Sequence, residues 1–340
     1  MIHSNRRDFL KTLAGLTSGI LLPFGSKAFP GDSVQRDKIG EVLPLRKLGS
    51  TGEKVTMLGL GGYHIGWTSE KKAQETIEAA IEGGVRFFDN AESYSDGLSE
   101  TRYGKYLVPQ YRDEIFVMTK TVARNAKETE KDLEESLRRL KTSTVDLWQI
   151  HALSSEQDVD NRIEKGVLEV VLTAKKNGKV RYVGFTGHQS PYAHKHMLNV
   201  NGHDVFDACQ FPVNVVDASV QDSFIKEIVP MALDRNMGIL AMKTLADGRF
   251  FSKKIQEGRK IWDSDNPVIP ERLNIEEALQ FAWSLPISVL ITGAENPQLL
   301  KEKINMAKRF QQLTPEHRNQ LIDKVIDLTR KKDVEYYKNV

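Results

Sequence analysis

Three polar residues recur at one interval along this chain. Asp89, Lys120 and His151 stand 31 positions apart (89 to 120, 120 to 151), each at the close of a short apolar run. That interval holds one strand, one helix and two connections. In a closed barrel of eight strand–helix units and about 250 residues, each unit takes about 31 residues, and reactive groups gather at the C-terminal ends of several strands. An open doubly wound sheet collects its ligand groups at one switch point, usually beside a GxGxxG turn. Gly59-Leu60-Gly61-Gly62 is glycine-rich but lacks that spacing. The expectation is therefore an α/β fold, a (β/α)8 TIM barrel.

The rest of the pattern fits eight units. Apolar runs predict strands over Thr56–Leu60, Val85–Phe88, Ile115–Thr119, Val145–Ile150, Val180–Phe185, Asp207–Phe211, Gly238–Met242 and Val289–Ile291. Helical spacing of apolar residues predicts helices over Glu70–Glu82, Glu128–Leu140 and Asn161–Asn177. Gly83-Gly84 and Asn177-Gly178 are stop signals for two of them. Gly49-Ser50-Thr51-Gly52, between two short segments of Leu45–Val55, reads as a hairpin ahead of the barrel. The chain 245–273 is long for one connection, and such loops commonly act as lids. Pro315–Lys332 reads as an extra C-terminal helix that only packs.

Composition narrows the function. Forty-eight basic and 46 acidic residues leave a net charge of +2, without the basic excess of a nucleic-acid footprint. The single cysteine excludes an internal disulfide and CxxC metal sites. No apolar run reaches the length of a membrane span. At the start, Arg6-Arg7-Asp8-Phe9-Leu10-Lys11 resembles a twin-arginine export motif. A mildly apolar run and Ser26-Lys27-Ala28 follow, in the order of a cleavable signal. This predicts a signal peptide over 1–28, a linker over 29–44, a barrel over 45–340, the twin-arginine machinery as a partner and a periplasmic location.

Asp89, Tyr94, Lys120 and His151 supply the groups that carbonyl reduction needs. Tyrosine, with a pKa of about 10, becomes a useful proton donor beside an ammonium that favours the phenolate. A carboxylate can hold that ammonium, and a histidine can orient the substrate oxygen. A glycosidase would need two facing carboxylates at strand ends, and only Asp89 stands so. Tyr63-His64-Ile65 offers no His-x-His pair for a metal-dependent hydrolase, and no metal is expected.

Phe87-Phe88-Asp89-Asn90-Ala91-Glu92-Ser93-Tyr94, Thr119-Lys120 and Asp146-Leu147-Trp148-Gln149-Ile150-His151 together resemble segments of the aldo-keto reductase family. The resemblance runs over most of 45–312. It implies an oxidoreductase acting on an aldehyde, ketone or sugar, with NADP as cofactor and NAD as the alternative. It also implies a cofactor contact set of Gly62, Tyr63, Asp89, Thr186, Gln210, Met242, Lys243, Gly293, Ala294 and Glu295. Gly187 stands where the family has an Asn, with His188 as a substitute. Met242 stands where an aromatic is common. Glu295 stands near the family's 2′-phosphate position, with Lys303 and Arg309 to compensate. His64, Trp67 and the loop after His151 are expected substrate walls. The competing reading is an exported barrel that retains cofactor for binding or regulation without turnover.

Overall fold

The structure, a computed structural model, describes residues 35–200, 205–256, 259–330 and 334–338. The expected signal peptide, 1–28, and the first part of the linker, 29–34, lie outside the described residues. The remainder of that linker is packed. Leu43 is buried, and Asp37 forms an ion pair with Arg86 at 2.6 Å.

A short antiparallel hairpin, β1 (Leu45–Lys47) and β2 (Lys54–Thr56), precedes the barrel. Eight parallel strands then close: β3 (Leu58–Gly61), β4 (Phe87–Asp89), β5 (Phe116–Thr121), β6 (Val145–Ile150), β7 (Val180–Thr186), β8 (Ala208–Pro212), β9 (Gly238–Met242) and β12 (Val289–Thr292), with β12 pairing back to β3. The first expected strand is divided. Thr56 belongs to the hairpin, and the chain turns at Met57 before β3 begins. Residues 161–177 also form two helices instead of one, Glu156–Glu164 and Val167–Lys176, parted at Gly166 with φ +79°. Glu70–Glu82 forms as expected, capped by the Ser69 hydroxyl on the Lys72 N–H and followed by Gly84 at φ +91°.

Strand alternation explains where the site sits. Phe87 points into the barrel and stacks on Phe116 with ring centroids 5.0 Å apart. Phe88 points outward against Tyr103. Asp89 therefore points inward again, one layer nearer the C-terminal end. On β5 the same alternation gives Met118 inward, Thr119 outward and Lys120 inward. Leu48 and Val55 of the hairpin fill the lower end of this interior with Leu147, Leu240 and Val289. Burying each such side chain contributes roughly 1.5–3 kcal/mol, which leaves the polar layer at the other end as the affordable exception.

Two segments cover that polar end. The connection after β9 folds as a 3-10 turn, Ala246–Gly248, and an antiparallel hairpin of β10 (Lys253–Gln256) and β11 (Arg259–Asp263). At the C-terminus, the helix Pro315–Asp323 is shorter than expected and packs on the barrel, where Arg318 donates to the Ser284 carbonyl at 2.6 Å. The chain beyond it lies outside that expectation. Residues 334–338 return to the barrel mouth, where Asn214 donates to Glu335 at 3.0 Å and to the Tyr337 hydroxyl at 3.1 Å.

Candidate active site

Lys120 is the centre of the site. Its ammonium lies 2.6 Å from Asp89, donates to the Asn90 carbonyl at 2.6 Å, and donates to the Tyr94 hydroxyl at 3.1 Å. Its side chain is 1 % exposed and that of Asp89 4 %, so water contributes little to holding the charge. Burial works against the ammonium, but the attraction of Asp89 and Tyr94 outweighs it and raises the Lys120 pKa. Strand β5 is itself fixed from outside the barrel. Thr119 donates to the buried Glu100 carboxylate at 2.5 Å, and Arg139 binds the same carboxylate at 2.7 Å.

Tyr94 reaches this ammonium because the segment after β4 turns back sharply. Ser95 and Asp96 both adopt left-handed backbone, with φ of 51° and 53°. His151, one residue past β6, brings its ring to 5.9 Å from that of Tyr94 at a steep angle. Burial, then Lys120 and other nearby cations, hold His151 well below the usual histidine pKa, so it is neutral. The structure brings these four residues together at the C-terminal end of the barrel. The expected pKa of Tyr94 is corrected, because burial pushes it up to about 12 against the pull of Lys120. Tyr94 is a neutral phenol whose conjugate base would have an ammonium already in contact.

The other flank of the mouth is built differently. The Gln210 side chain on β8 donates to the Met242 sulfur at 3.7 Å, and its amide oxygen Oε1 is buried without a partner among the described residues. Thr186 ends β7 and is buried, and the chain then passes through Gly187. A Cβ there would stand 2.4 Å from the Leu153 carbonyl, so no Asn fits at this position. The cause is the loop after His151, which turns at Ala152 (φ +57°) and lays Leu153 against Gly187. His188, the next residue, has its Nδ1 buried and unpartnered among the described residues.

Gly293 and Ala294 follow β12 ahead of the helix Pro297–Lys308. His64 packs directly on Gly293, since a Cβ there would meet its ring at 2.3 Å. Trp67 lies under Lys254 of β10 at 5.6 Å, and Lys254 also approaches Glu295 at 3.9 Å. His64 and Trp67 thus border β12 and the hairpin, on the far side of the mouth from His151. Tyr63 alone of that loop meets Tyr94, ring to ring at 5.7 Å, and is 55 % exposed. Gly62 lies tight against Asp89, where a Cβ would be 2.7 Å from its carbonyl. The expected compensation for Glu295 is corrected in part. Arg309 is committed to Glu276 at 2.7 Å. Lys303 is tied back to Thr292 at 2.9 Å and the Gly293 carbonyl at 2.7 Å.

Sequence reading passed over Glu92, Arg249 and the tail residues Tyr336 and Tyr337. Burial pushes Glu92 up to about 7 although it accepts the Val122 N–H at 2.7 Å. The length of the connection 245–273 marks this loop in the sequence, but the left-handed residues Lys243, Ala246 and Asp247 that shape the turn before Arg249 leave no such signal.

A TIM barrel with an ammonium, phenol and imidazole at its C-terminal mouth narrows the class sharply. The Aldo/keto reductase family profile matches residues 57–326 of this chain. The chain belongs to that family. An oxidoreductase of Bacillus subtilis is 24 % identical over 292 residues, 77 % of this chain and 90 % of its own length. The L-galactose dehydrogenase of Arabidopsis thaliana is 27 % identical over 253 residues, 69 % of this chain and 74 % of its own. Among solved structures, the holo form of an aldo-keto reductase from Bacillus halodurans superposes with a TM-score of 0.67 at 22 % identity, over 83 % of this chain and 96 % of its own.

Proposed function

We propose that this protein is an oxidoreductase that interconverts a small carbonyl compound, an aldehyde, ketone or sugar, and its alcohol, with a nicotinamide dinucleotide as co-substrate. The observation that carries the reading is the Lys120 ammonium, buried between Asp89 at 2.6 Å and the Tyr94 hydroxyl at 3.1 Å. A structural lysine has no need of a phenol at an open mouth. Tyr94 donates its proton to the substrate oxygen, and Lys120 stabilises the phenolate left behind. Asp89 keeps that ammonium in place. Neutral His151 orients the same oxygen by a hydrogen bond and adds no competing charge.

The opposite flank fits a dinucleotide. Unpartnered buried acceptors at Gln210 and His188 suit an amide N–H, and the turn at Gly293 and Ala294 suits phosphate oxygens. Gly62, Tyr63, Thr186, Gln210, Met242, Lys243, Gly293, Ala294 and Glu295 would hold it. When bound, the dinucleotide supplies or accepts the hydride. NADP is the expected form, with NAD the alternative that the Glu295 carboxylate favours.

Tyr94→Phe tests the reading. It should lower carbonyl reduction by about 10²–10⁴-fold and leave dinucleotide affinity near that of the parent. Equal rates in the two proteins would remove Tyr94 from the proton-donor role. We also propose that the protein works after export, supported by Arg6-Arg7 and the run that follows. Replacing both arginines by lysine should keep the protein in the cytoplasmic fraction, and unchanged periplasmic recovery would exclude the route.

A further inference from the structure

His194 is a polar ring in an apolar place. It belongs to the helix Pro191–Val200, between β7 and β8, and is fully buried. Its ring meets those of Phe185, Phe211 and Phe224 edge-on, with centroids 5.2, 6.0 and 5.1 Å away. An apolar side chain would fill such a space without the cost of burying a polar group, which only a hydrogen bond offsets. The ring makes one. Nε2 lies 3.2 Å from the Gln210 backbone carbonyl, which can only accept, so Nε2 donates. Burial lowers the His194 pKa to about 4 against the pull of the Gln210 and Ser190 carbonyls, so the ring is neutral.

This bond is made where two strands end. The pairing of β7 with β8 stops with Thr186 opposite Gln210. Phe185 and Phe211 point outward and hold the ring, while strand alternation aims the Gln210 side chain inward. Ring and amide therefore lie on opposite faces of one strand. The same ring backs the turn after β7. A Cβ on Gly187 would stand 3.0 Å from His194 Cε1 and 2.4 Å from the Leu153 carbonyl. The Gly187 N–H donates to the Gln210 carbonyl at 3.4 Å, and the Leu153 N–H to the Thr186 carbonyl at 2.9 Å. One imidazole thus fastens the ends of β7 and β8 and, across Gly187, the loop that carries His151. Inside the barrel the Gln210 amide touches the Met242 sulfur at 3.7 Å and leaves Oε1 without a partner among the described residues.

We propose that His194 is a positioning residue for the dinucleotide: bonded to the Gln210 carbonyl and packed on the Gly187 turn, it fixes the Gln210 amide where the nicotinamide carboxamide binds. This rests on the oxidoreductase reading and adds to it a residue that never touches the ligand.

His194→Phe tests it, since a phenyl ring keeps an aromatic plane in the cluster and removes the N–H. Calorimetry compares two probes. One is NADPH or NADH, whichever the parent binds more tightly. The other is the matching dinucleotide fragment without nicotinamide, ADP-ribose with or without its 2′-phosphate. The variant should weaken the dinucleotide about five- to tenfold, the worth of one hydrogen bond, and the fragment by less than about twofold. A packing role alone would weaken both alike. His194→Gln keeps an N–H at similar reach and should recover most of the dinucleotide affinity. In a Gln210→Leu background, which lacks the amide, His194→Phe should weaken the dinucleotide little further. Melting temperatures within a few degrees of the parent show that the variants are folded. Unchanged dinucleotide affinity in His194→Phe overturns the proposal, as does an equal loss for both probes or the full loss repeated in the Gln210→Leu background. Each of those outcomes leaves the oxidoreductase reading standing. A parent that binds neither NADPH nor NADH overturns that reading and the proposal with it.

Discussion

Two lysines near the barrel mouth show how its flanks differ. Lys120, on the β4–β6 side, is 1 % exposed and spends its contacts on Asp89, Asn90 and Tyr94. Lys243, after β9, is 19 % exposed, with Asp247 at 3.4 Å and the Tyr337 ring at 5.0 Å. The first flank is held by the protein's own charges. Buried polar atoms without partners among the described residues stand on both flanks, at Asn90, Glu92 and His151 on the first and at Gln210 and His188 on the second, but among the described residues no buried ion pair takes in the second set, which is covered by a hairpin and a tail. A flank that performs proton transfer has to be rigid before any ligand arrives. A flank that holds a ligand keeps its donors and acceptors for that ligand.

The largest effect should come from breaking the rigid side. Lys120→Met removes the partner of both Asp89 and Tyr94. Carbonyl reduction should fall by about 10³-fold or more. Stability should fall too, by roughly 3–5 kcal/mol where Asp89 is left charged and buried. Burial already raises the Asp89 pKa against the opposing pull of Lys120, and without Lys120 it rises further. A raised carboxyl binds its proton more tightly folded than unfolded, so stability is lost as pH rises toward the folded pKa. The melting temperature of the variant, set against the parent, should therefore drop further at pH 8 than at pH 5. A variant that melts with the parent at both pH values would show that Asp89 does not depend on this ammonium.

Next comes the soft side. Gly187→Asn restores the residue common in the family and should nonetheless harm the protein. The new Cβ meets the Leu153 carbonyl at 2.4 Å, so the loop after His151 has to move. A loss of about 1–3 kcal/mol is expected in chemical denaturation. Dinucleotide affinity should not improve. Tighter binding with unchanged stability would show that the Leu153 loop yields freely. Glu295→Ser sharpens the same flank more gently. It removes a carboxylate that lies 3.9 Å from Lys254 and should shift the ratio of NADPH to NADH affinity toward NADPH by about tenfold. An unchanged ratio would place the 2′-phosphate elsewhere.

The two flanks also differ in how far the sequence reveals them. Asp89, Lys120 and His151 recur at a barrel period, and period-two alternation aims the first two inward above Phe87 and Met118. Those signals are local, so the closed barrel and the cluster around Lys120 were readable. Gly187 was legible only as a missing Asn. Its reason lies in Leu153, on a different connection, and no sequence spacing reports that contact. Tyr336 and Tyr337 reach the mouth from more than eighty residues beyond Asp247 (336 less 247 is 89), on a tail past the last helix that carries no spacing signal of its own. The raised pKa of Tyr94 was missed for a related reason. The residue types announce an ammonium beside a phenol, but the burial that overrides it depends on neighbours such as Tyr63 and His151.

Glu92 offers the finest test of the rigid side, because it lies within it and yet is not fully compensated. Its carboxylate accepts the Val122 N–H at 2.7 Å, while its second oxygen is buried without a partner among the described residues. Burial chiefly, with Asp132 and Glu100 adding repulsion, raises its pKa from 4.5 to about 7. The folded state thus holds this proton more tightly than the unfolded state, and the group's contribution to stability declines as pH rises from about 4.5 to about 7. Glu92→Gln keeps an acceptor for Val122 and removes the titration. Measured against the parent, its relative stability should rise between pH 5 and pH 8, by on the order of 1 kcal/mol. Carbonyl reduction should change little, since Gln can still hold the turn that carries Tyr94. A stability difference that is flat across that range would mean that Glu92 stays charged in the folded protein, and that the β4–β5 side tolerates a second buried carboxylate without an ammonium of its own.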